Sequence, residues 1–328
     1  MKRLIYICAI LVLVQTGLAV WTHVSPNENG SQPGKGPLLK MTAAEVNILL
    51  LEDGEGRKLL LEKVNDQWQL PELAAFPADT VRVQELVDRL AGLQRGWPEA
   101  TTADAAQRFK VASDRFERKL TLRNKDTNLG VVYFGSSPGL RKIYVRADND
   151  PAIQALAMAP HELEVQADAW IDTRVLYLQP EQVLRVALPG LQLERQKDGL
   201  QPADMAPDEQ IVTARRDALV KRLSSLAINS VLGKESRPEY GMETPLLRYS
   251  VELEGGSRIE YVFGQPPKIE GKEVQNPMAE HSYVVKVSNH EQLFRVDGWQ
   301  VDAIRGASRA LLVQKKGQPQ AGGGPPQE

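Results

Sequence analysis

The chain has 328 residues, 42% hydrophobic, 25% charged and 6% aromatic, with 40 Lys and Arg against 42 Asp and Glu. The near-neutral balance, net −2 at pH 7, gives no basic footprint for a phosphate backbone and argues against a nucleic-acid partner. The length is ordinary for two domains, and the single cysteine, Cys8, excludes a disulfide framework and a thiolate metal site.

Lys2 and Arg3 precede Leu4 to Trp21, an apolar run interrupted only by Gln15, Thr16 and Gly17. At ~1.5 Å rise per residue this run spans roughly 27 Å, close to the ~30 Å hydrocarbon core of a bilayer. Residues 1–24 therefore predict a retained signal anchor, a single transmembrane helix with its N-terminus in the cytoplasm. The bulk of the chain would then be extracytoplasmic, at the inner membrane and in the periplasm of a Gram-negative cell. The competing expectation is a cleaved secretory signal with Gly17-Leu18-Ala19 as its small-residue site. Ile5-Tyr6-Ile7 before Cys8 is too bulky for a lipoprotein signal. Residues 25–40 begin with a Ser-, Pro-, Asn- and Gly-rich stretch and read as a flexible tether.

Residues 41–176 read as a first repeat. Val46, Ile48 and Leu50 alternate with other residues, a turn follows at Glu52 to Gly56, and Leu59 to Val64 completes a hairpin. Asp79 is a candidate N-cap for a helix carrying Val83, Leu86, Val87, Leu90 and Leu93 at helical spacing. Strands are expected at Lys119 to Leu122, Val132 to Gly135 and Tyr144 to Arg146.

Residues 177–313 repeat this order. Leu86-Val-Asp-Arg-Leu-Ala-Gly-Leu93 returns 133 residues later as Leu219-Val-Lys-Arg-Leu-Ser-Ser-Leu226. Val183 to Leu188, the turn Pro189-Gly190 and Leu191 to Arg195 match the first hairpin. Asp208 is the candidate cap for a stripe of Ala218, Leu219, Leu223 and Leu226. Phe109-Lys110-Val111 corresponds to Tyr240-Gly241-Met242, and the strands to Ser250 to Leu253, Tyr261 to Gly264 and Tyr283 to Val285. An insertion near Lys268 to Pro277 reads as an exposed loop, and Gly- and Pro-rich residues 314–328 as a disordered tail. The expected fold is α+β: an N-terminal transmembrane helix, then two tandem repeats, each an antiparallel sheet of hairpin plus meander packed on an amphipathic helix with its own core.

These residues resemble a known family. Trp68-Gln69-Leu70-Pro71, Phe134-Gly135 before Tyr144-Val145-Arg146, Trp170 to Leu176 and Tyr240 to Pro245 are similar to the bacterial domain of unknown function numbered 4340. The similarity covers nearly all of residues 41–313. It implies a membrane-anchored extracytoplasmic protein associated with auxiliary components of gliding-motility-type ABC transporters, and it brings no catalytic residues. The chain departs from the pattern where Lys110 stands for a frequent Gly and where Leu200 stands in the second copy for Trp68. Loss of glycine's freedom at positive φ predicts that the turn at Phe109 differs from the one at Tyr240.

Candidate chemistry fails on spacing. His161-Glu162 and His290-Glu291 evoke zinc peptidases, but Val165 and Phe294 occupy the positions where a second His would share the helix face. Gly135 to Gly139 lacks both the Lys-Ser/Thr ending of a phosphate loop and the spacing of a nucleophile elbow. Glu162, Glu164 and Asp168 read as a solvated helical face, and Trp97, Trp170 and Trp299 as core or cap packing. No catalytic, cofactor-binding or metal-ligating residue is assigned. The expected function is a non-enzymatic accessory or scaffold protein whose partners are the membrane and envelope or ABC transporter proteins. The alternative is a ligand- or glycan-binding module using the cleft between the repeats.

Overall fold

The computed structural model describes Gln15 and residues 36–139, 141–265 and 281–317. The predicted anchor, Gln15 apart, residues 25–35 of the tether, the insertion at Lys268 to Pro277 and the tail from residue 318 lie outside the described residues. Among the described residues no helix is long and apolar enough to cross a membrane. The architecture is α+β, dominated by two antiparallel sheets of eight strands each.

The first repeat contains β1 (Ile48–Asp53), β2 (Lys58–Val64), β3 (Gln67–Leu70) and β4 (Phe76–Pro77), followed by the helices α1 (Thr80–Ala91) and α2 (Ala103–Arg108). A small hairpin of β5 (Val111–Ala112) and β6 (Arg115–Phe116) leads to the meander β7 (Arg118–Asn124), β8 (Thr127–Phe134), β9 (Lys142–Ala147) and β10 (Gln154–Ala157). The sheet order is β10-β9-β8-β7-β1-β2-β3-β4. Local chemistry sets the turns. The Asp53 carboxylate accepts the Glu55 and Arg57 backbone N–H groups at 3.0 and 2.9 Å and closes the β1–β2 loop. Asn65 and Asp66 supply the two positive-φ residues of the β2–β3 turn, a conformation their short polar side chains tolerate.

The hairpin forms as expected, and the structure decides which face of β1 is inner. Leu49 and Leu51 enter the core, while Ile48 and Leu50 lie half-exposed on the outer face. In a strand reading Ile-Leu-Leu-Leu both faces are apolar, so period 2 cannot choose between them. Pairing with Leu59, Leu61, Leu120 and Leu122, all on the buried side, decides the matter. For α1 the sequence sufficed: Asp79 caps Val81 N and Arg82 N, and Val83, Leu86, Val87 and Leu90 are buried.

The second repeat contains β11 (Val183–Leu188), β12 (Leu191–Gln196), β13 (Gly199–Pro202), β14 (Glu209–Ile211), α3 (Thr213–Ser224) and β15 (Ile228–Gly233). Then come β16 (Leu247–Leu253), β17 (Arg258–Gly264), β18 (Ser282–Val287), β19 (Leu293–Asp297), the helices α4 (Gly298–Arg305) and α5 (Arg309–Leu312), and β20 (Val313–Lys315). Its order, β13-β12-β11-β16-β17-β18-β19-β15, superposes on the first as β3-β2-β1-β7-β8-β9-β10 plus one edge strand. The counterpart of β15 in the first repeat is the single bridge Ala100↔Ile153. Helices α1 and α3 are each 12 residues long and lie 133 positions apart, so the recurrent Leu-Val-x-Arg-Leu occupies the same turns in both.

Two expectations for α3 are corrected. Asp208 does not cap it; the N-cap is Val212, which has no side-chain bond, and its backbone N–H donates to Leu312 O at 2.7 Å. The inward face is Arg216, Leu219 and Leu223, with Ala218 exposed. Arg216 stands where α1 has Val83, donates to Asp198 O at 2.5 Å and packs its guanidinium against Gly199. The larger helix residue accompanies a smaller strand residue, Leu200 in place of Trp68.

The turns at Lys110 and Gly241 are alike rather than different: φ is 58° and 64°. The close approach of Gly135 to Phe109 O recurs between Gly264 and Tyr240 O, so the surrounding backbone holds Lys110 left-handed despite its Cβ.

The repeats do not keep separate cores. Buried side chains of both sheets form one contiguous apolar cluster. Phe76 of β4 packs on Phe294 of β19 with ring centroids 5.8 Å apart. Residues 170–173 stitch the halves together: Asp79 N donates to Trp170 O and Asp172 N to Pro77 O, while Ile228 N at the start of β15 donates to Thr173 O. In the second repeat β20 plays the closing role, pairing with β14. Gln314 and Lys315 are thus strand residues, not tail. Leu38 and Leu39, assigned to the tether, are buried in the core, with Leu38 N bonded to Leu93 O.

Candidate interaction surface

The residues singled out for chemistry do not converge. His161 is exposed, and Glu162 is used internally, accepting from Ala159 N at 2.8 Å and pairing with Arg89. His290 is half-buried with its ring edge-on to Phe294 at 5.5 Å, and burial depresses its pKa against the opposing hydrogen bond to the Val175 backbone. Glu291 pairs outward with Lys234. Glu162, Glu164 and Asp168 do not share a helical face, because short 3-10 turns at Pro160–Leu163 and Ala167–Ala169 flank extended chain. Desolvation raises the Asp168 carboxyl above its ordinary value, opposed by Arg295 and a hydrogen bond from the Val231 backbone. Gly135 to Gly139 forms the turn after β8, with Ser137 Oγ donating to nearby carbonyls. Among the described residues no cluster of His, Cys, Asp or Glu has metal-binding geometry.

The tryptophans divide differently from expectation. Trp170 is buried and donates from Nε1 to Glu164 O at 2.8 Å, whereas Trp97 and Trp299 are 79% and 61% exposed. Trp299 sits on the first turn of α4 beside the last turn of α3. Its position is fixed from below. The buried Gln300 amide accepts from Ala227 N at 2.9 Å and donates to Ala227 O at 3.0 Å, and Trp299 Nε1 reaches Asp297 Oδ2 at 3.3 Å. The Arg222 guanidinium lies over the indole, 5.4 Å from its centroid. Ala218, Lys221, Arg222, Ser225, Trp299 and Gln300 line a cavity of about 310 Å³ here.

The corresponding surface of the first repeat has the opposite character. α1 carries Arg82, Glu85, Asp88 and Arg89, a balanced set, whereas α3 carries Arg215, Arg216, Lys221 and Arg222 against Asp217 alone. Asp88 corresponds to Lys221, and Glu85 to Ala218. Arg89 is neutralised by Glu162 and donates to Ala157 O at 2.8 Å. Arg222, its counterpart, meets an aromatic face instead. The sequence alone hid this surface, since it requires knowing that α4 docks beside α3.

The family model described as Domain of unknown function (DUF4340) matches residues 68–245, more than half of the chain. The chain belongs to the DUF4340 family. The DUF4340 match runs from β3 of the first repeat past α3 and β15 of the second, so it includes the stitching segment 170–173. What the family shares is thus the junction as well as parts of each repeat. No curated protein and no solved structure matches the chain.

Proposed function

We propose that this DUF4340 protein is a non-enzymatic accessory or scaffold protein, held at the membrane by residues 1–24 and presenting its repeats outside the cytoplasm to envelope proteins, in the setting of an ABC-type transporter. One observation carries this reading. The two repeats keep the same frame down to single backbone bonds, Asp79 N to Trp170 O and Val212 N to Leu312 O, both 2.7 Å, yet present differently charged outer helices. A frame copied without its surface suits a protein that offers two distinct faces from one rigid body. The DUF4340 resemblance to membrane-anchored transporter auxiliaries supports the setting.

The alternative, a ligand or glycan site in a cleft between the repeats, has less to rest on. Phe76, Phe294 and Trp170 fill the junction. Among the described residues, cavities of about 240 to 570 Å³ lie within one half or the other, such as that lined by Thr101, Asp104 and Arg146 and that lined by Lys221, Arg222 and Trp299.

Crosslinking in intact cells, followed by detergent extraction and mass spectrometry, tests the reading. The expected product contains the chain together with a membrane permease and its ATPase. Recovery of the chain by itself at every crosslinker concentration would overturn it.

A further inference from the structure

We infer that the groove between α3 and α4 is a docking site for an acidic segment of a partner protein, with a carboxylate on Arg222 and Lys221 and an adjacent apolar side chain on Trp299. This inference rests on the scaffold reading and names the chemistry of one partner.

The duplication supplies the internal comparison. At the equivalent helix position of the first repeat, the Arg89 guanidinium is already occupied by a carboxylate from its own chain, that of Glu162. In the second repeat α4 brings Trp299 to that place, and among the described residues no carboxylate lies within 4.0 Å of Arg222 or Lys221. The neighbouring acid has also been exchanged for a base, Asp88 for Lys221, and Glu85 for the small Ala218, which opens room beside the indole. The second copy therefore retains the arginine, offers it no carboxylate partner within 4.0 Å among the described residues, and carries an added cation.

Two physical features make the groove more than a solvated basic face. Trp299 is held by the Gln300–Ala227 amide pair and by Asp297, so its exposed ring costs little entropy to present. A guanidinium lying on an aromatic face keeps its edge N–H groups free, and those are the donors that grip a carboxylate in bidentate fashion. The cavity of about 310 Å³ has room for a side chain or two, not a folded domain, which fits a short extended segment. A carboxylate is preferred over a lipid phosphate because the same helix position in the first repeat is satisfied by one.

The test uses the full-length chain in zwitterionic nanodiscs and a fluorescein-labelled hexapeptide, Glu-Leu-Glu-Glu-Phe-Glu, followed by anisotropy. The Gln-for-Glu peptide and vesicles of phosphatidylglycerol serve as comparisons. Saturable binding of the acidic peptide is expected, weakened at least tenfold by Arg222→Gln with Lys221→Gln and by Trp299→Ala, and unchanged by Arg89→Gln in the first repeat. All substituted second-repeat residues are exposed, and an unchanged thermal melt of each variant shows that folding is intact. Equal binding of the Gln peptide, binding to vesicles alone, indifference to the second-repeat substitutions, or no binding would each overturn the proposal. Such a failure with the chain still recovered in a permease complex overturns only this groove; recovery of the chain by itself overturns the scaffold reading.

Discussion

Lys110 and Gly241 hold the same left-handed backbone position in the two repeats, at φ of 58° and 64°, although only one of them is a glycine. The turn is dictated by what packs on it. Gly135 approaches Phe109 O and Gly264 approaches Tyr240 O, so neither turn can relax to an extended conformation without separating the chain from β8 or β17. The two positions also differ in tolerance, since a Cβ at Gly241 would lie 2.2 Å from Gln265 O.

Substitutions at the two sites should therefore move stability in opposite directions. Lys110→Gly relieves left-handed strain and is expected to stabilise by about 0.5 to 1 kcal/mol. The exposed Lys110–Glu117 pair that it removes is worth little. Gly241→Ala adds both strain and overlap and should cost about 2 to 4 kcal/mol. Urea unfolding of the two single variants measures both, and the same sign for the two would refute the account.

The shared core predicts that the halves unfold together. Phe76→Ala removes a buried ring that packs on Phe294 of the other repeat and should cost about 3 to 5 kcal/mol. Calorimetry of the parent chain is expected to show one transition, with the variant melting lower. Two well-separated transitions in the parent would contradict a common core.

His290 makes the junction sensitive to pH. Burial lowers its folded pKa below the unfolded value of about 6.5, so the unfolded chain binds the additional proton more readily. The sign follows: its contribution is present in full above pH 6.5 and is lost as pH falls through the depressed folded pKa. His290→Gln should flatten the dependence of the melting temperature on pH between about 7 and 5. An unchanged slope would show that other groups govern that window.

Capping offers a smaller, cleaner contrast. Asp79→Ala removes the acceptor of Val81 N and Arg82 N and should cost about 1 kcal/mol. Asp208→Ala removes no cap, and a stability within about 0.5 kcal/mol of the parent is expected in thermal melts.

Where local chemistry is sufficient, the residues themselves determined the outcome. The hairpins around Gly54 and Pro189-Gly190, the Asp79 cap, the α1 stripe and the recurrence of Leu-Val-x-Arg-Leu all follow from turn residues and periodicity over a few positions. Other features were settled by partners far along the chain: which face of β1 is buried, that Leu38 and Leu39 belong to the core, that β20 closes the second repeat, and that α3 begins at Val212, whose N–H is held by Leu312 O, rather than at Asp208. The interaction surface belongs to this second group. Arg222 and Trp299 are 77 positions apart and each is unremarkable alone; only the packing of α4 beside α3 makes them one site. Side-chain spacing encodes what a segment prefers, whereas the burial of one apolar cluster common to both repeats decides which segments meet.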